Sequence, residues 1–404
     1  MKILLLGASN SLMDPGYLPA ARERFAAGTG GVLEVDNRSV GAATCAWGVE
    51  VVATTDLAAY DAVMLDYAVT DPPFIARSSI GIWAACYESL LRRIRAQRPD
   101  IRVVVAYLRG ISPACLACDA EMTREIHRLA DLYGLEIFDA DAHLAAEFGT
   151  LPETGRLYSD MAHYIRPDIT DRIGAHLARH LARTPATPPS AWPDTPLAVD
   201  LTGARVMSAE ELAATGGHPV ETFANSAMRR TAVALRPGAP LELTLPGALV
   251  CATVVSTARS GTLKVTVGEG APFLWHTLAP PVRDAGRPFI FRPLFALTGG
   301  RGGTPGRETR VRFEVAVPPD DTAHEVLDQL GLDPNPGAPD PVVHLSSVMV
   351  NPRPAQGGGR SQPARSLRGA TTRVWEKVRR KLWSAITRRT RGSAAAATSR
   401  AIRR

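Results

Sequence analysis

Met1-Lys-Ile-Leu-Leu-Leu-Gly-Ala-Ser-Asn-Ser11 decides the fold of the first half of the chain. Four large apolar side chains, Ile3 to Leu6, stop at Gly7 and give way to small polar residues. A short apolar run bounded by glycine is the pattern of a strand buried on both faces of a parallel sheet. Glycine lets the backbone turn sharply at the carboxyl end of that strand, where open α/β sheets bind ligands. Ser9 and Ser11 are therefore expected beside a crevice. Each is either a candidate nucleophile or a plain loop hydroxyl satisfying backbone groups.

Outward from this strand, apolar runs alternate with helical patterns up to about residue 183. The expected strands are Ile3–Leu6, Val32–Val35, Ala62–Leu65, Val103–Tyr107 and Leu135–Phe138. Between them, apolar residues at three-to-four spacing predict helices over Leu18–Ala27, Ile80–Ala96 and Glu121–Tyr133, and a last helix spans Pro167–Ala182. This alternation predicts a flavodoxin-like, doubly wound parallel sheet of five strands with helices on both faces.

The proline-rich stretch 184–196 reads as a stiff linker. Beyond it, over 197–352, short strand-like runs separated by Gly/Pro turns predict a β-rich, sandwich-like domain. These runs are Thr231–Leu235, Leu241–Leu245, Leu249–Val255, Leu263–Val267, Val311–Val317 and Val342–Val350.

Residues 353–404 form a low-complexity basic tail with 15 Lys/Arg and one acidic residue, whereas the remainder holds 31 basic and 39 acidic residues. Within the tail, Val374, Trp375, Val378, Leu382, Ala385 and Ile386 share one face of a basic amphipathic helix. It reads as a segment for an anionic membrane surface or an acidic partner, or as a solvated tail. Specific nucleic-acid binding is not expected, because the body is acidic and carries no reading module.

Of the 404 residues, 45% are hydrophobic and 21% charged, ordinary for a globular chain of two or three domains. No uncharged apolar run approaches the roughly 18 residues that span a bilayer, and the first residues lack a signal-peptide core. The expectation is a cytoplasmic protein, peripheral at most at the inner membrane surface. Cys45, Cys86, Cys115, Cys118 and Cys251 are too few and too irregular for a disulfide framework. The Cys115/Cys118 pair follows the fourth strand and has no second pair or histidine to complete a zinc site, so it reads as incidental or weakly redox-sensitive thiols. No phosphate-binding glycine loop occurs, and no cofactor or metal is expected.

A serine nucleophile needs a base within hydrogen-bond reach and a group that orients the base. Tyr158-Ser-Asp160-Met-Ala-His163-Tyr164, after the fifth strand, supplies both. Asp160 and His163, three apart in a loop entering the last helix, can face the same crevice as Ser9. His127, His176 and His180 fall at helix positions, and His143 has no evident partner.

At this point residues 1–183 resemble the SGNH, or GDSL-type, hydrolases, with four blocks in the family's order. Gly7-Ala-Ser-Asn-Ser11 is similar to the nucleophile block, with Ser9 in the serine position and Ala8 where an aspartate is usual. Asn37-Arg-Ser-Val-Gly41 is similar to the block whose glycine amide serves the oxyanion hole. Leu65-Asp-Tyr-Ala68-Val-Thr70-Asp71 is similar to the GxND block, with Ala68 for its glycine and Thr70 for its asparagine. Asp160 and His163 match the DxxH block.

The resemblance implies a serine esterase with the triad Ser9, Asp160 and His163. The oxyanion hole would be drawn from the Ser9 and Gly41 amides and Thr70. Threonine is shorter than asparagine and is expected to reach an oxyanion only through water, with Asn10 a candidate substitute. The implied substrate is an acyl ester, chiefly acetyl, on a small molecule or a glycan. Two alternatives stay open: acyl transfer to a polysaccharide hydroxyl, and a catalytically weak scaffold in polysaccharide assembly at the membrane.

Overall fold

The computed structural model describes residues 1–185, 188–189, 197, 199–225, 229–296, 301–304, 306–317, 324–327, 335, 338 and 340–352. The chain divides into compact units Met1–Gly358 and Gly359–Arg404. The basic tail and its amphipathic pattern lie outside the described residues, as does most of the proline-rich stretch.

Among the described residues, the first sheet contains β1 (Lys2–Gly7), β2 (Glu34–Asn37), β3 (Ala62–Asp66), β4 (Arg102–Tyr107) and β5 (Glu136–Asp139). Their order is β2-β1-β3-β4-β5, all parallel. This is the doubly wound arrangement expected from the alternating pattern. β1, β3 and β4 are almost wholly buried, because helices cover both faces of a parallel sheet.

The second strand starts two residues later than its apolar run suggests. Val32 is 68% exposed, and its carbonyl accepts from the N-terminal ammonium. Pairing with β1 therefore begins at Glu34, opposite Lys2.

The helices of this part are α1 (Tyr17–Thr29), α2 (Cys45–Ala53), α3 (Asp71–Arg77), α4 (Ile80–Gln97), α5 (Pro113–Tyr133), α6 (Ala140–Phe148), α7 (Thr154–Leu157) and α8 (Asp168–Leu181). α5 starts eight residues before the apolar periodicity becomes clear. Ser112 caps it by accepting from the Cys115 amide, and Pro113 suits its first turn. Cys115 and Cys118 are thus turns of a helix, buried, with burial as the main cause raising both thiols above their ordinary pKa. High-pKa thiols form little thiolate, which favours the incidental reading over the redox-sensitive one. α8 lies against α1 so closely that a β-carbon on Gly174 would sit 2.3 Å from the Tyr17 carbonyl oxygen.

The remaining elements are β6 (Arg205–Ser208), α9 (Ala209–Gly216), β7 (Val220–Ala224), β8 (Arg229–Leu235), β9 (Leu241–Leu245), β10 (Ala248–Ser256), β11 (Thr262–Val267), β12 (Phe273–His276), α10 (Pro280–Arg283), β13 (Ile290–Phe295), β14 (Thr309–Ala316), β15 (Glu325–Val326) and β16 (Val343–Asn351). They build a sandwich. One sheet has the order β13-β10-β16-β8-β7, with β6 also on β16, and the other β15-β12-β11-β14-β9.

β10 and β16 are each nine residues long and buried throughout. Alternation would leave one face of an outer sheet wet; here both faces are covered. Ala252, Val254, Leu345 and Val348 join the cluster between the sheets. Cys251, Val255 and Met349 join a second cluster, which runs on into Trp47, Phe74 and Leu90 of the α/β part. The larger sheet is therefore packed against helices α2 to α4, with Phe74 and Phe295 rings 5.6 Å apart. Among the described residues no helix is long and apolar enough to cross a membrane.

Candidate active site

The parallel order turns outward from β1 and β3, so the crevice lies beyond their carboxyl ends. Gly7 pairs with Asp66 there. A β-carbon on Gly7 would lie 2.9 Å from Asp66 Cβ and 3.0 Å from Ser11 Oγ. Only glycine lets the two strand ends approach so closely. The chain then enters a 3-10 turn, Ser9–Leu12, which lifts Ser9 to the crevice and turns Asn10 and Ser11 inward.

Ser9 Oγ lies 2.8 Å from His163 Nε2. On the other side of the ring, Nδ1 lies 2.8 Å from Asp160 Oδ2 and 3.0 Å from Oδ1. A tight loop positions this pair. The Ser159 amide donates to the His163 carbonyl and the Ile165 amide to the Leu157 carbonyl. Tyr158 and Tyr164 bridge across its base with rings 4.6 Å apart. Both tyrosine hydroxyls donate to the buried Asp141 carboxylate.

Burial pulls the Asp160 carboxyl upward. The His163 ring and the Ala162 and His163 amides outweigh it and hold Asp160 below its ordinary pKa. An ionised Asp160 favours Nδ1–H and leaves Nε2 to accept the serine proton.

Ser11 is placed differently. It is 3% exposed, its hydroxyl donates to Asp66 Oδ2 at 2.6 Å, and its oxygen is 2.8 Å from the Tyr17 hydroxyl. It is a structural hydroxyl, with no histidine bonded to it among the described residues. Asn10, considered as a substitute oxyanion donor, instead gives Nδ2–H to the Ala162 carbonyl at 3.2 Å. It ties the nucleophile turn to the Asp160–His163 loop. His143, without an evident partner in sequence, stacks between Phe138 and His176, away from the triad.

The second block makes a loop between β2 and α2. Asn37 donates to the Ser11 carbonyl and accepts from the Ser39 amide, and Val40 N–H bonds to the Gly7 carbonyl. The backbone N–H groups of Ser9 and Gly41 meet no acceptor among the described residues. Ala42 holds φ at +57°, a region L-residues seldom occupy.

Thr70 faces this loop from the third block and is 8% exposed. Its hydroxyl donates to the Ala43 carbonyl at 2.5 Å, with the Tyr67 carbonyl at 3.3 Å. Its one proton is thus engaged in bracing the loop between β2 and α2, and the water-bridged donor role expected from sequence does not match this geometry. Replacing Thr70 by valine keeps the shape and removes the brace. It is expected to cost about 1–3 kcal/mol in stability, the penalty for an unmet buried carbonyl; Thr70→Ser restores it, read by melting.

Asp66 and Asp71 are fully buried under the site, and burial pushes both carboxyls up to about 7, against the hydrogen bonds from Ser11 and from Trp83 and Cys45 respectively. Asp66 Oδ1 has no partner among the described residues. A carboxyl whose folded pKa exceeds its unfolded value binds more protons when folded. Stability therefore falls as pH rises from roughly 4 to 7, and the loss is complete above that window. Asp66→Asn is expected to flatten this fall and to be the more stable form at pH 8, as measured by urea midpoints across pH.

Two charged residues escaped the sequence reading. Glu50 interrupts the apolar run of α2, and Arg292 interrupts that of β13; such lone charges in apolar segments were the available signal. Glu50 binds across to the sandwich, and Arg292 Nη1 donates to the Gly41 carbonyl at 3.1 Å.

No protein-family model and no curated protein matches this chain. Among solved structures it is similar to a two-domain esterase active on acetylated mannans, at 13% identity and TM-score 0.56, over 88% of this chain and 92% of that one. The same esterase co-crystallized with mannopentaose matches at 14% identity and TM-score 0.56, over the same shares. A member of the lipolytic G-D-S-L family from Veillonella parvula matches at 16% identity and TM-score 0.35, over 45% of this chain and 98% of that one. Both parts of the chain are thus covered by one solved protein, and the α/β part has the strand order expected from the sequence. The fold of this chain is that of the two-domain esterase active on acetylated mannans, a five-stranded parallel α/β part followed by a β sandwich.

Proposed function

We propose that the protein is a serine esterase that removes acyl groups, chiefly acetyl, from a carbohydrate. The observation that carries this reading is the unbroken hydrogen-bonded line from Ser9 Oγ through His163 to Asp160. In the proposed cycle His163 Nε2 takes the Ser9 proton as Oγ attacks the ester carbonyl. The Ser9 and Gly41 amides receive the developing oxyanion. The imidazolium, held by Asp160, gives the proton to the sugar oxygen as its bond to the acyl carbon breaks, so that the sugar leaves as the free hydroxyl. Water, deprotonated by His163, then releases the carboxylic acid and restores Ser9.

The carbohydrate half of the reading is supported by the likeness in fold to the esterase active on acetylated mannans. The acetyl preference is tested by incubating the protein with acetylated manno-oligosaccharides and with p-nitrophenyl acetate and butyrate, and measuring released acid. Acetate release from both acetyl substrates, abolished by Ser9→Ala, is the expected result. Release from the nitrophenyl esters alone would remove the carbohydrate assignment while leaving the esterase.

A further inference from the structure

We propose that Arg292, carried by the β sandwich, is a positioning residue of the esterase site: it anchors the Gly41 carbonyl, and through it the backbone torsions of Gly41 that aim the N–H of the same residue at the oxyanion. This inference rests on the reading of Ser9, His163 and Gly41 given above and assigns the second domain a part in the same reaction.

The loop between β2 and α2 is fixed by its carbonyls. The Val40 carbonyl accepts from the Ala43 amide, Gly41 from Arg292 and Ala43 from Thr70. Two of these bonds come from within the α/β part, and the one in the middle comes from a residue 251 positions away. The middle carbonyl is the one that matters most. Gly41 has no β-carbon, and no atom lies within 4 Å of where one would be, so packing does not set its torsions. The next residue, Ala42, is in the left-handed region at a cost of roughly 1–2 kcal/mol. A strained residue beside an unpacked glycine keeps its conformation only if bonds around it demand it. The Arg292 guanidinium supplies that demand at the Gly41 carbonyl, on the peptide unit that joins Gly41 to the strained Ala42.

The arginine is itself held to the task. It is 6% exposed on β13, and burial lowers its pKa to about 10, which leaves it cationic at neutral pH. A buried cation is costly unless paired, and a planar fork holds direction better than the single head of lysine. Its positive charge beside the oxyanion loop also favours the negative charge that develops in the transition state.

The test uses the full chain, with p-nitrophenyl acetate kinetics, inhibition by phenylboronic acid, and melting curves. The boronate forms a tetrahedral adduct on Ser9 and so reports the oxyanion hole without turnover. Arg292→Met is expected to lower kcat about ten- to a hundredfold, less than outright loss of one donor, with KM changed less than twofold. The boronate inhibition constant should rise by a similar factor, measured well below the melting temperature. Arg292→Lys should fall between the two. A purely structural role would lower the melting temperature and leave kcat and boronate affinity at wild-type values, and that outcome overturns the proposal. If Arg292→Met does not fold, Arg292→Lys decides: wild-type kcat and boronate affinity overturn it. Wild-type activity that survives Ser9→Ala would instead sink the underlying esterase reading, whatever Arg292 does.

Discussion

Ser9→Ala is expected to lower kcat by about 10⁴- to 10⁶-fold while leaving the melting temperature nearly unchanged, and His163→Ala should do the same. The reason is that the two act as one unit. Ser9 Oγ and His163 Nε2 are already at 2.8 Å, so without the imidazole the hydroxyl has nowhere to send its proton, and without the hydroxyl the imidazole has nothing to activate. The double variant should therefore be no slower than either single one, leaving only the residual effect of binding and the oxyanion amides. A multiplicative loss in the double variant would mean that the residues act independently, and the triad would be wrong. Neither side chain fills the core: Ser9 and His163 are only part-buried, which is why stability should hold. Asp160→Asn should cost less than the other two, because Asp160 is 55% exposed and water can partly replace it at Nδ1.

These two residues were legible in the sequence because their chemistry is local to strand ends. Ser9 follows a glycine that stops an apolar strand, and Asp160 and His163 lie three apart in one loop. The strand order followed from the alternation of patterns alone, and Ser9 was set ahead of Ser11 by the block it resembles. The bracing of the loop between β2 and α2 was not legible. Thr70 looked like a weakened donor because its type was compared with asparagine at the same place. Its actual acceptor, the Ala43 carbonyl, is a backbone atom that no pattern reveals. Arg292 was hidden for a related reason: its significance depends on a contact with Gly41 that spans two domains. Likewise, uninterrupted burial along β10 and β16 needs a second layer on their outer face, and a single strand's sequence does not say which layer provides it. Short elements such as β6, β7, β12 and β15 were missed because two to five residues carry too little periodicity to read.

The site depends on that interdomain packing, and Glu50 is where the dependence can be measured. Glu50 lies on α2, the helix that follows the oxyanion loop, and is 1% exposed. Its Oε1 accepts from Arg230 at 3.0 Å and from the Ser347 hydroxyl at 2.7 Å, and its Oε2 from the Thr253 hydroxyl at 2.8 Å. All three donors belong to the sandwich. The Arg230 guanidinium also lies 4.5 Å from the Trp47 ring centroid, one turn earlier on α2. Glu50→Ala removes a buried carboxylate and leaves a cation and two hydroxyls at the seam with nothing to receive them. The expected cost is about 3–5 kcal/mol, the range for breaking one side of a buried ion pair, read as a lowered denaturant midpoint. Glu50→Gln keeps the volume and one acceptor and should lose less, roughly 1–3 kcal/mol. A loss below about 1 kcal/mol for Glu50→Ala would mean that water enters the seam and rescues the donors. Under folding conditions the alanine variant should also lose activity, because loosening the sandwich from α2 withdraws Arg292 from Gly41. Restoring wild-type stability by an unrelated stabilising substitution should then leave kcat low, which separates the loss of positioning from the loss of folded protein.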